Sequence, residues 1–395
     1  MRLCMISLDA LASPDEEQLF SLPALKELRR QGAFCSHIQT VYPTITYPIH
    51  VSLLTGCYPA RHGIGHNQPL QPDLAKEERR WYWEIGDIKV KTLHQAAHEK
   101  GLRVASVLWP VTGKNPYVKW NFPEIMPLPG ENAALKMMKY GTVPWMLKTE
   151  LKMGKSRVSI RQPHLDAYAV KLCEDLYTCR RPPDVLTVHF VDCDAMRHWH
   201  GVESEEAHQA MKRLDSYVGR IVAAVKKAGL YEETLFCIVS DHGQQDTPNG
   251  VLLDRQLKAY CGARAQSLGM GAYIFGDDLD AARRALVEHQ KEWRIASILD
   301  REAIAAMQGP AHVQLAVEAE AGACFIDREE KAFGEHGFSI HCPQAQTFFL
   351  LAGPGVKKGY TLEKGHLTDI APTLAQALSL SLPQAQGTPF QEIFE

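Results

Sequence analysis

The chain has 395 residues, 45% of them hydrophobic and 23% charged, with a net charge of −3. This balance excludes a disordered chain and a nucleic-acid binder working through bulk positive charge, and no run approaches the roughly 18 apolar residues of a membrane span. The length allows roughly two or three domains, or one large α/β domain with insertions. The ten cysteines have no paired spacing, and Cys4, Cys237 and Cys324 lie in apolar runs. They read as reduced core residues. The first apolar run is closed by Asp9 and is too short for a signal segment. A cytoplasmic chain with a small-molecule substrate, no obligate nucleic acid and no membrane partner is expected.

Residues 3–8 read as a buried strand with Asp9 at its carboxyl end. Ser21 is placed to cap a helix over residues 22–31 that stops at Gly32. Pro43 and Pro48 restrict the backbone on either side of Thr46 and make a turn there. The apolar run 49–54, ended by Gly56, reads as a helix, so Thr46 stands at a helix N-terminus. Free N–H groups and the helix dipole favour an anion at that point. A helix over 92–100 and a strand over 103–109 follow. Residues 110–163 break the rhythm with Pro, Gly, Met and a basic cluster, and read as irregular structure with a helix near the site mouth. Beyond them come a helix over 164–178, a strand over 184–191, a long helix over 204–228 and a strand over 234–240. Between 247 and 333 shorter strands (272–275, 313–317, 324–326) alternate with helices such as 280–292. The first rhythm returns with a strand over 347–351 and a helix over 367–378. The alternation predicts an α/β fold: a mostly parallel central sheet with helices on both faces, carrying an inserted smaller α+β subdomain. The predicted core is 1–246 with 334–395, and the predicted cap is 247–333.

Candidate chemistry collects at strand ends, where open parallel sheets place function. Asp9 is the first such group. Asp194 and His198 follow the strand ending near Val191, four residues apart, which on a helical turn puts a carboxylate and an imidazole on one side. Asp192 and His200 are competing choices there. Asp241 and His242 follow the next strand, with Gly243 expected to permit a sharp turn. His336 lies close to Gly334 and Gly337, in a setting poor for a core residue. The inventory of N and O donors without paired thiolates suits two borderline metals, and two ions about 3.5–4 Å apart can clamp the attacking and leaving oxygens of an in-line displacement.

These motifs together resemble the alkaline phosphatase superfamily, and within it the nucleotide pyrophosphatase/phosphodiesterase-like family. That family's pattern Pro-x-x-Thr-Phe-Pro-Asn-His appears as Pro43-Thr-Ile-Thr46-Tyr-Pro-Ile-His50. Its Thr-Gly-x-x-Pro-x-x-His-Gly-Ile appears as Thr55 to Ile64, followed by Asn67. The later motifs come in order as Asp194, His198 and Gly201, then Asp241 to Gly243, then Gly334 to Gly337, and Trp109-Pro110 matches a further pair. Two positions depart: Ile49 replaces the usual Asn, and the exposed Phe is Tyr47.

The resemblance implies one divalent ion held by Asp194, His198 and His336, and a second by Asp9, Asp241 and His242, with the Thr46 oxygen beside both. Zinc is the first choice and manganese the second. It implies Thr46 as nucleophile and Asn67 as donor to a non-bridging phosphoryl oxygen. Asn67 is neutral, which suits a diester or pyrophosphate better than the more highly charged monoester. Tyr47, Tyr58, Trp109 and Trp120 are candidates to stack a base. The alternative within the fold is a phosphonate hydrolase resembling phosphonoacetate hydrolases, with Lys114 near a substrate carboxylate; a non-catalytic binding protein is the third reading. His37, His62, His66, His189 and His200 have no assigned role.

Overall fold

The computed structural model describes residues 1–328 and 333–395; positions 329–332 of the expected cap lie outside the described residues. Six strands form in the first part of the chain: β1 (Arg2–Leu8), β2 (Gly32–Gln39), β3 (Val104–Val107), β4 (Trp120–Phe122), β5 (Val185–Phe190) and β6 (Thr234–Val239). A second sheet holds β7 (Arg264–Ser267), β8 (Gly271–Phe275), β9 (Ile295–Asp300) and β10 (Leu315–Ala319), and β11 (Gln346–Ala352) returns to the first sheet. The first sheet runs β2-β11-β6-β1-β5-β3-β4, with the short strands Tyr360–Thr361 and Gly365–His366 beside β2. All its pairings are parallel except those of β11, which is antiparallel to both β2 and β6. The expected α/β class and mostly parallel sheet are what the chain adopts.

The strands are apolar on both faces because both faces are covered. Along β1, Cys4, Ile6 and Leu8 enter one core while Leu3 and Met5 enter the other. The first core packs under α1 (Pro23–Gln31) and the helices His164–Leu176 and Glu205–Lys227. The second packs under α2 (Thr46–Thr55), α3 (Leu93–Glu99) and the helix Ile370–Ala377.

Several element readings shift. Ser21 does not cap α1: Leu22 holds the cap position, and the carboxylate of the distant Asp215 accepts from the amides of Ala24 (3.3 Å) and Leu25 (2.8 Å). No strand was expected at β2, whose half-buried Ser36 and exposed His37 interrupt the apolar pattern; its pairing with β11 supplies the order that local sequence lacks. Residues 110–163 contain β4 and two helices, α4 (Ala133–Tyr140) and α5 (Val143–Met153). β10 starts later than read, because a turn from Pro310 to Val313 comes first.

Parallel strands send their carboxyl ends to one rim, which collects Asp9 after β1, the turn before Thr46 after β2, α6 (Asp192–His200) after β5, and Asp241 after β6. The exception completes the set. β11 runs the other way, so the segment leading into it, with His336, arrives at this same rim.

Candidate metal centre

Thr46 is the first residue of α2, which has Ile45 at its cap and no side-chain capping bond. The turn before it is fastened to the His336 segment twice: Thr44 Oγ1 donates to Phe338 O (2.7 Å), and Gly337 N donates to Thr44 O (3.0 Å). Thr46 Oγ1 lies 3.3 Å from His242 Nε2. The Thr46 N–H is engaged by none of the described residues, while the Tyr47 N–H donates to Asn67 Oδ1 (2.9 Å). That bond turns the Asn67 amide so that its NH₂ has no protein acceptor among the described residues.

Two groups of donors lie side by side, with the His242 and His336 rings stacked 4.2 Å apart, and the hydroxyl touches the group that holds His242. Asp194, His198 and His336 form one, Asp9, Asp241 and His242 the other, and within each the ligand atoms all lie within 4.8 Å of one another. Every donor except His336 has one polar atom tied to the protein. Asp9 Oδ2 accepts from His189 Nε2 (2.9 Å). Asp241 Oδ1 accepts from the amides of Ala10 (3.2 Å) and His242 (2.9 Å). Asp194 Oδ1 accepts from Gln244 Nε2 (2.6 Å). His198 Nδ1 donates to Gly334 O (2.7 Å), and His242 Nδ1 to Gly243 O (3.1 Å). Three buried atoms remain without a hydrogen-bond partner: Asp9 Oδ1, Asp241 Oδ2 and His336 Nδ1. Orphaned carboxylate and imidazole atoms beside one another are costly unless a cation takes them, so the donor set fits a divalent ion in each group.

The charges agree. Burial, then the carboxylates of Asp241 and Asp194, push the Asp9 carboxyl well above its ordinary range. Burial, then His242 and His198, hold His336 well below the usual imidazole value. Burial opposes ionisation of Asp194, but the imidazoles of His198, His336 and His242 prevail and hold its carboxyl low. Like charges that repel within one buried set are the signature of a site made for an opposite charge.

Against this geometry, the family model for "Type I phosphodiesterase / nucleotide pyrophosphatase" matches residues 3–338. The chain belongs to that family. It is similar to human ectonucleotide pyrophosphatase/phosphodiesterase family member 1, at 24% identity over 57% of this chain but only 21% of that protein's length. It is also similar to mouse bis(5'-adenosyl)-triphosphatase enpp4, at 22% identity over 98% of this chain and 79% of that one. Its fold matches murine ectonucleotide pyrophosphatase/phosphodiesterase 5, described as inactive and in complex with AMP, with a TM-score of 0.73 over the whole of both chains at 17% identity.

For this type I phosphodiesterase relative, three of the four expected substrate contacts require correction. Tyr47 is fully buried, packed by Val51, Ile64 and Val111 with the Trp81 ring 5.2 Å away, so it offers no open face. Trp109 is also fully buried; its ring lies against His50, and its Nε1 donates to His50 O (3.4 Å) in the core behind α2. Lys114 is committed to Glu84 (2.8 Å) over the Tyr140 ring. Asn67 alone is tied to the start of α2, through the Tyr47 amide beside Thr46. Trp120, a further stacking candidate, is buried in the first core. The competing ligands fall away too: Asp192 is held by Arg213 (2.6 and 3.0 Å), and His200 points to solvent. Gly243 is not in a left-handed conformation; a Cβ there would meet Ala12 Cβ at 2.8 Å, so close packing excludes a side chain.

Sequence reasoning missed the residues behind the donors. His189 bridges Asp9 to Glu124, whose carboxylate lies 3.4 Å from its Nδ1. His50 links Thr46 O (2.8 Å) to Ser7 Oγ (2.9 Å). Gln244 sits one residue past the Asp-His-Gly motif, and that adjacency was its only signal.

Proposed function

We propose that this chain is a two-metal hydrolase of phosphodiester or pyrophosphate bonds, working through a threonyl-phosphoryl intermediate. The observation that carries it is the Thr46 hydroxyl at an uncapped helix start, 3.3 Å from His242, whose ring stacks on His336 of the second donor group. Asp194, His198 and His336 would hold one divalent ion, and Asp9, Asp241 and His242 the other, with zinc the best fit to an N/O set without thiolates and manganese the next. What such ions supply is positive charge, which eases loss of the hydroxyl proton and steadies the departing oxygen.

The chain's own groups do the rest. The turn fastened by Thr44 holds Thr46 Oγ1 in place for in-line attack. The phosphorus–Oγ1 bond forms as the bond to the leaving alkoxide or phosphate breaks, and water later hydrolyses the threonyl ester. The Thr46 N–H and the Asn67 NH₂ are donors for the non-bridging oxygens. Two neutral donors in place of a cationic clamp suit the single negative charge of a diester. The names of the relatives, which specify nucleotide pyrophosphatase activity and an AMP complex, support a nucleotide as the organic part of the substrate.

With Lys114 paired to Glu84, no observation favours the phosphonate reading. The convergence of six donors weighs against a purely binding role. We further propose that residues 247–333 act as a cap whose β7–β8 turn braces the rim: Met270 N donates to His336 O (2.7 Å), and His66 Nε2 bonds to Ser267 O (2.8 Å). Buried thiols at Cys4, Cys35, Cys173 and Cys237 support a reducing, cytoplasmic setting.

The test is a panel of a nitrophenyl nucleotide diester, a nitrophenyl monoester and phosphonoacetate, with zinc or manganese. The diester should be turned over fastest, and Thr46→Ala should lose about a thousandfold or more in kcat while retaining its metal. Wild-type turnover by Thr46→Ala would overturn the assignment.

A further inference from the structure

Residues 133–161 differ from the rest of the chain in charge. They carry seven Lys or Arg and one acidic residue, Glu150, within a chain of net charge −3. Lys136 pairs with Glu131, Lys152 with Asp175 and Arg157 with Glu150. Lys139, Lys148, Lys155 and Arg161 form no ion pair with a described residue, so a positive surface is left over.

The same stretch concentrates exposed apolar side chains. On α5, Trp145 and Thr149 face inward. Val143, Leu147 and Leu151 recur every fourth residue and so share the opposite stripe. Leu147 is 51% exposed and Leu151 91%, with Leu135 on α4 at 63% and Val158 just beyond α5 at 75%. Seven of the thirteen exposed large hydrophobic residues among those described lie between positions 126 and 160. Single exposed apolar residues are ordinary, but a concentration of them marks a surface meant to be covered.

We propose that this face docks on an anionic lipid surface, with Leu147 and Leu151 entering the headgroup–acyl boundary and Lys139, Lys148, Lys155 and Arg161 meeting lipid phosphates. Three observations select that occupant. A second copy of the chain would bring like unpaired cations together. Leu151, the most exposed leucine at 91%, is free to enter a deformable bilayer. α5 has 11 residues, and no described helix is long and apolar enough to cross a membrane, so the segment lies on the bilayer.

Flotation of the whole chain with phosphatidylcholine vesicles, with and without about 30 mol % phosphatidylglycerol, tests this at about 0.1 M and 0.5 M NaCl. Partitioning should be about tenfold or more stronger on the anionic vesicles and should weaken severalfold at the higher salt. Leu147→Ser with Leu151→Ser should lower it about tenfold or more without altering the thermal melt. Lys148→Gln with Lys155→Gln should erase most of the difference between the vesicle types. Failure to float with anionic vesicles, or unchanged flotation of the double-serine variant, would overturn the proposal. So would light scattering that finds a wild-type dimer which the double-serine variant dissolves, because the face would then belong to a second copy.

Discussion

The two donor groups adjoin where the His242 and His336 rings stack, but they are built from different materials. Asp9, Asp241 and His242 stand at the ends of β1 and β6, neighbours whose register pairs Ser7 with Val239. Sheet hydrogen bonds set that group before any ion arrives. Asp194 and His198 share one turn of α6, but His336 reaches them only through the closure of a long chain segment, held by Thr44 on one side and Met270 on the other. A group set by strand register should tolerate local damage, whereas one set by long-range closure should lose its ion first.

The largest effect should come from the register-set group. Asp9→Asn keeps the shape but weakens the orphaned oxygen, and should cut turnover about a thousandfold or more while metal content falls from about two ions to about one. Retention of two ions at full affinity, measured by elemental analysis after dialysis, would break the comparison.

Next comes the closure. Gly337 has a φ of +82°, and a Cβ there would sit 1.9 Å from Leu268 O. Gly337→Ala should cost about 3 kcal/mol or more of stability in denaturant melts and release the ion at His336 before the other. Equal loss of both ions would mean that the groups are not independently built.

Smaller and separable effects should follow from the supports. Gln244→Leu removes the donor to Asp194, and His189→Asn the one to Asp9. Each should weaken one ion by about ten- to a hundredfold and leave the other nearly untouched, as titration calorimetry can resolve.

The last effect lies away from both groups and reads stability, not metal binding. Burial holds the imidazoles of His62 and His94 down to about 3 from an ordinary 6.5. As pH falls below 6.5 the unfolded chain takes up protons that the folded chain refuses, so stability is complete above that value and lost progressively toward 3. Each histidine contributes a slope of up to about 1.4 kcal/mol per pH unit. Melts between pH 7 and 5 should show it, and His94→Gln should reduce it by the share of one histidine.

Much of the rim was legible because its parts carry local signals: Asp or His just past an apolar strand, an i,i+4 pair, and a Thr between prolines. The reversed strand β11, which brings His336 home, was read as a strand but not as antiparallel, since direction is a tertiary property. β2 was invisible for the same reason: its partners, not its residues, make it a strand. Tyr47, Trp109 and Lys114 carry the right chemistry, yet burial and ion pairing depend on segments such as 81–88 whose packing no local pattern announces. The cationic, apolar face of α4 and α5 hid in whole-chain averages, where a near-neutral total conceals a strongly basic stretch.

Anomalous diffraction at the zinc edge from zinc-loaded crystals addresses the arrangement of the rim with least intervening inference. Two strong peaks should appear, one against Asp194, His198 and His336 and one against Asp9, Asp241 and His242, with Thr46 Oγ1 between them. A single peak, or peaks distant from that oxygen, would contradict it.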